Sequence, residues 1–129
     1  MFTIEQITEA HSKVKSGADF PAYIQDLIAL GVKGYDTFVN DGHVEYYGAD
    51  NFRVAATDKY DTINVAEIPN KERFLEFLMM HQEGYSDYLT FCKHAAQCGI
   101  ARWRVDILEM TCTYFDLKNN IIIIEKIPS

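Results

Sequence analysis

Apolar positions along this chain follow two periods, and the switches between them mark its elements. Ile4, Ile7, Ala10 (or His11) and Val14 recur at helical spacing behind a capping-box pair, Thr3 and Gln6, and Gly17 is the expected stop. Asp19 is placed to cap a second helix, with Pro21 in the first turn, where a missing N–H costs little. Phe20, Tyr23, Ile24, Leu27, Ile28 and Leu30 form its apolar side, and Gly31 ends it. The period then drops to two. Tyr35, Thr37 and Val39 alternate with Asp36, Phe38 and Asn40, and Val44 and Tyr46 alternate with His43, Glu45 and Tyr47. Asn40-Asp41-Gly42 between them predicts a β-hairpin turn with Gly42 at positive φ. A turn over 48–51, a short strand over 52–55 and irregular extended chain through Tyr60, Ile63 and Val65 complete this half.

After Pro69-Asn70 the order begins again. A helix is expected from Glu72 to Glu83, with Phe74, Leu75, Phe77 and Leu78 inward and Gly84 as stop. Ser86 or Asp87 caps the next, which runs to Gly99. Trp103, Val105 and Ile107 then alternate with polar residues, a strand covers 111–115, Asn119-Asn120 turns the chain, and Ile121 to Ile127 form a last strand. Because Ile121 to Ile124 are apolar on both sides, that strand is expected to be covered on both faces.

Superposing Gly31 on Gly99 relates the halves at an offset of 68 residues. Asp19 then meets Asp87, Tyr23 meets Phe91, Tyr35 meets Trp103, Val44 meets Cys112, Tyr46 meets Tyr114, Tyr47 meets Phe115 and Asn51 meets Asn119. The expected fold is one α+β domain over 1–129, built of two ααβββ repeats at about 1–66 and 70–129. Pseudo-twofold symmetry and an antiparallel sheet with its helices packed on one face follow. Gly42 falls on Met110, so the second hairpin turn is expected to use other dihedrals, since Met at positive φ is disfavoured.

Composition narrows the function classes. With 12 Lys+Arg against 19 Asp+Glu the formal net charge is −7, and no basic stripe exists to meet nucleic-acid phosphates or an anionic membrane. No apolar run reaches the length that spans a bilayer. The opening Met1-Phe2-Thr3-Ile4-Glu5 lacks the basic and apolar regions of a secretory signal. Three cysteines, an odd number without framework spacing, fit a reducing compartment, so the expected location is cytoplasmic.

Candidate chemistry is sparse. Cys92, Cys98 and Cys112 align with Ile24, Leu30 and Val44, which reads as three small buried hydrophobes, and no ligand spacing for a metal or motif for a cofactor is present. His43 stands beside Asp41 and shares a strand side with Glu45, a setting that raises a histidine's proton affinity toward acid/base use. The sheet side turned from the helices is the more informative feature. It carries Phe38, His43, Glu45, Tyr47, Arg104, Asp106, Leu108, Thr111, Thr113 and Phe115, and such a mixed face calls for a cover. A second subunit, the 56–69 segment or a small-molecule ligand are the three candidates, and open strand edges offer a further route to a symmetric dimer.

The strings Asp41-Gly42-His43-Val44-Glu45-Tyr46-Tyr47-Gly48, Trp103-Arg104-Val105-Asp106 and Met110-Thr111-Cys112-Thr113-Tyr114-Phe115-Asp116 resemble the YbcV-like "phage envelope protein" family of small bacterial and prophage proteins, over nearly the whole chain. The resemblance implies no activity, cofactor or catalytic residue, and Lys118-Asn119-Asn120 stands where the family pattern suggests a glycine. The expected function is a non-enzymatic interaction or small-ligand-binding domain acting as a homodimer. Its candidate ligand or interface residues are His43, Glu45, Tyr47, Arg104, Asp106 and Phe115. The alternatives are a small acid/base enzyme using His43 with Glu45 or Asp106, and a phage-related structural or accessory protein.

Overall fold

A computed structural model describes residues 2–14, 19–56 and 60–127. Two helices, α1 (Ile4–Ser12) and α2 (Phe20–Leu30), precede strands β1 (Gly34–Phe38), β2 (Val44–Tyr47) and β3 (Arg53–Ala56). Helices α3 (Lys71–Gln82) and α4 (Tyr88–Gln97) then precede β4 (Arg102–Asp106), β5 (Thr111–Phe115) and β6 (Ile121–Lys126). Local chemistry sets most boundaries. Thr3 and Gln6 close the expected capping box on α1, and Asn70 and Asp87 accept from the third residue of α3 and α4. Asp19 differs: its backbone is already helical (φ −87°, ψ −7°), and no side-chain capping bond forms at α2. Gly31, Gly84 and Gly99 stop their helices at positive φ, while Gly17 lies outside the described residues.

The six strands form one antiparallel sheet in the order β3-β2-β1-β4-β5-β6. Its centre is the β1–β4 seam, where Asp36 faces Arg104, with Gly34 opposite Asp106 and Phe38 opposite Arg102. The flanking hairpins share one register at the 68-residue offset: Gly34 pairs with Tyr47, and Arg102 with Phe115. A bulge at Tyr114–Phe115 then shifts the β5–β6 pairing.

Helices cover one side only. Tyr35, Val39, Val44, Tyr46, Trp103, Val105, Ile107, Cys112 and Tyr114 are buried beneath them, as their alternation predicted, against Ile7, Tyr23, Ile24, Leu27, Phe74, Leu78, Phe91 and Cys92. Each fully buried side chain of this size contributes roughly 1.5–3 kcal/mol. The three cysteines are free and buried; burial pushes the Cys98 thiol up and the Cys112 thiol up to about 12.

Three expectations are corrected. Met110 does adopt positive φ (54°), as Gly42 does (77°), so the two hairpin turns share that feature despite the missing glycine. The Asn119-Asn120 turn forms as expected, with Asn119 at φ 64° in place of a glycine, since Asn tolerates the left-handed region. Strand β6 is not covered on both faces: it is a sheet edge, and Ile121 and Ile124 are more than half exposed. Leu75, counted among the inward residues of α3, is also exposed, because Phe74 and Leu78 take the core-facing line.

Candidate functional site

The sheet side opposite the helices carries all six candidate residues, and period-two alternation is what puts them there: His43, Glu45, Tyr47, Arg104, Asp106 and Phe115 are each half-buried and each follows or precedes a buried residue. None of the described elements covers this face. Of the 56–69 segment, the candidate internal cover, the described residues 60–69 hydrogen-bond instead to the first hairpin turn and to the end of α4. Ile63 N–H donates to the Asn40 carbonyl (2.6 Å), Ala66 N–H to Ala96 and Asn70 N–H to Cys98. Tyr60, Ile63 and Val65 pack against the helix-side core.

The face divides into three groups. At the β1–β2 turn, His43 Nδ1 lies 2.6 Å from Asp41 Oδ1 and Nε2 lies 3.2 Å from Glu45 Oε2, while the ring stacks on Phe38 at 4.3 Å. A neutral imidazole has one N–H to give, so two carboxylate partners favour the doubly protonated ring. Burial lowers the His43 proton affinity, but the hydrogen bonds and charges of Asp41 and Glu45 outweigh it, and the net shift is upward. Glu45 also receives Arg53 at 3.1 Å. Both ring nitrogens are thus engaged by the hairpin itself, so acid/base chemistry at His43 requires one of these bonds to open.

The second group straddles the seam. Arg104 grips Asp36 with both prongs, Nε to Oδ1 at 2.7 Å and Nη2 to Oδ2 at 3.0 Å, and this bond raises the Arg104 pKa. The Tyr47 ring reaches over Gly34, where an added Cβ would sit 2.5 Å from its hydroxyl. Arg53 and Arg104 approach that ring at 5.5 and 5.9 Å.

The third group is Arg102 and Phe115. The guanidinium lies on the Phe115 ring at 3.8 Å, donates to Asn119 Oδ1 at a long 3.4 Å and stands 3.9 Å from Asp36. Its Nη1 is buried with no hydrogen-bond partner among the described residues. Asp106 stands apart, its Oδ1 accepting from Glu109 N–H at 3.0 Å, four residues along the strand from Arg102. The structure therefore joins His43 to Glu45 and does not join His43 to Asp106, which lies two strands away at the other end of the register.

Asp36 and Arg102 escaped the sequence reading, although the 68-residue offset placed Asp36 on Arg104, an opposite charge at an equivalent position. Two shallow concavities lie away from this face. One is lined by Ile4, Ile7, Thr8, His11, Tyr46 and Ala56, the other by Tyr60, Asp61, Thr62, Ile63, Leu89 and Lys93. Among the described residues no group of three or more His, Cys, Asp and Glu side chains is arranged to hold a metal ion, and no helix is long and apolar enough to cross a membrane.

Residues 8–126 match the family model DUF1398, described as a protein of unknown function. The chain belongs to the DUF1398 family. The match takes in every strand of the sheet and all six candidate positions, so this open face is part of the DUF1398 domain. A search of the curated proteins finds no match.

Proposed function

We propose that this protein is a non-enzymatic interaction domain that works as a homodimer, with the helix-free sheet face as its binding surface. The observation that carries the reading is that this face holds Phe38, Tyr47 and Phe115 half-buried and has no described element over it. Its charges support self-association. Arg53, Arg102, Arg104 and Lys126 stand against Asp36, Glu45 and Asp106 on a chain whose net charge is −7, so two copies meet with least repulsion here. The YbcV-like resemblance, which implies no catalytic residue, is compatible with this role.

The same reading extends to the architecture. We infer that the chain is a duplicated ααβββ unit: the mirrored strand order, the shared hairpin register and the positive φ at Gly42 and Met110 and at Asn51 and Asn119 all support it. On that view Asp36 and Arg104 are equivalent positions paired with one another at the pseudo-twofold axis.

Sedimentation velocity across the micromolar range tests the functional reading. A species of twice the chain mass is expected; a strict monomer at all concentrations overturns it.

A further inference from the structure

We propose that the two copies meet face to face about a twofold axis that lies in the interface and crosses the strands at the level of Asp36 and Arg104, so that Asp106 of each copy meets the partner's Arg102. This rests on the homodimer reading above and specifies its geometry. Most charges on the face are already matched within the chain: Arg104 with Asp36, and Arg53 with Glu45 and through it His43. Of the three arginines there, Arg102 is the one without a close carboxylate. Its side chain is only 18% exposed, yet its nearest carboxylate oxygen is 3.9 Å away on an Asp36 that Arg104 already holds by two bonds. Taking a guanidinium that far from water without a close anion is costly, and a carboxylate brought to the part of the side chain that stays exposed relieves the cost.

The sequence supplies that carboxylate on the same strand and the same face. Arg102 and Asp106 are four residues apart on β4, about 13 Å along an extended chain. Opposite charges at equal distances on either side of Arg104 are what an isologous contact needs, because a twofold axis through Arg104 exchanges the two ends of the strand. The operation matches the rest of the face as well. It sets the Tyr47–Gly34 end of one copy over the Phe38–His43 end of the other, so rings meet rings, while Arg104 and Glu45, which lie at the level of the axis and meet their own copies, are already matched within the chain by Asp36 and Arg53.

The test uses two single variants of the whole chain, Arg102→Glu and Asp106→Lys, with circular dichroism to check that each is folded and native mass spectrometry to read composition. Each alone places like charges across both contacts, and its dimerisation is expected to weaken at least tenfold. An equimolar mixture places opposite charges across both contacts, so a mixed dimer of one chain of each kind is expected to return. A misfolded variant cannot produce that rescue. If the unmodified chain is monomeric, the homodimer reading itself falls. If it is dimeric and both variants stay dimeric, or both become monomeric with no mixed dimer on mixing, this geometry is wrong while self-association stands. Dissociation of the unmodified dimer by millimolar acetate or succinate would assign the Arg102 edge to a small carboxylate and overturn the proposal.

Discussion

Replacing Asp36 with Asn keeps the side-chain volume and removes the charge that two guanidinium groups share. Asp36 is 5% exposed and receives Arg104 through bonds of 2.7 and 3.0 Å, with Arg102 at 3.9 Å. Breaking a fully buried pair by deleting one partner costs about 3–5 kcal/mol. The Arg104 side chain, however, is 41% exposed, and water recovers part of its solvation in the variant. Asn also keeps one neutral acceptor, so the expected loss is about 2–3 kcal/mol. With an unfolding entropy of about 2.1 cal/mol/K per residue, that corresponds to a Tm lowered by about 7–11 °C. Urea unfolding followed by circular dichroism, at one fixed protein concentration, measures it directly. A double-mutant cycle with Arg104→Gln isolates the pair and is expected to give a coupling above about 1 kcal/mol that survives in 1 M salt, because a shielded pair is weakly screened. A loss under about 1 kcal/mol, or a coupling erased by salt, would mean that the seam holds an ordinary surface ion pair, and the case for an electrostatically organised face would fail.

Other perturbations address separate links in the argument. His43 and His81 are expected to titrate on opposite sides of 6.5 by NMR, His43 above it and His81 below, where burial lowers the affinity against a weaker pull from Ser86 and Asp87. By linkage, the stability His43 contributes is complete below 6.5 and is lost as pH rises through its higher folded value, so the deficit of His43→Gln against the parent should shrink toward alkaline pH. The His81 contribution runs the other way, present above 6.5 and lost as pH falls through its depressed folded value. Gly99→Ala meets both a φ of +79° and the Pro69 backbone at 2.7 Å, whereas Gly31→Ala meets only a φ of +93° in open space. Thermal unfolding should show about 1–2 kcal/mol for Gly31→Ala and clearly more for Gly99→Ala. The three thiols should resist an aromatic disulfide reagent in the native protein and react in full once urea unfolds it.

Helix ends were legible where their causes are local: Thr3 with Gln6, Asp87 and the terminal glycines each act within a turn or two of chain. Strand alternation likewise named the buried face correctly, residue by residue. The misreadings arose where tertiary context decides. Four consecutive isoleucines in β6 say that the strand has apolar side chains, and nothing about whether a second layer exists to cover it. Met110 accepts a costly dihedral because the shared hairpin register demands a turn there. Of the candidate face, His43 with Glu45 was visible as a two-residue spacing at the start of β2. Asp36 was not, since alternation marks it only as outward and polar, and its importance appears when a strand 68 residues away arrives beside it.

That seam also has a bearing on how the molecule is assembled. Every other strand pairing joins neighbours in the chain, while β1–β4 alone carries the ladder between the two hairpin units. Each unit can form its turns and ladders from short-range contacts, but the long loop between β1 and β4 must close before the middle of the sheet exists. Lesions at Gly34 or Asp36 are therefore expected to slow the last docking event of refolding, leaving the early, hairpin-forming phases at their normal pace.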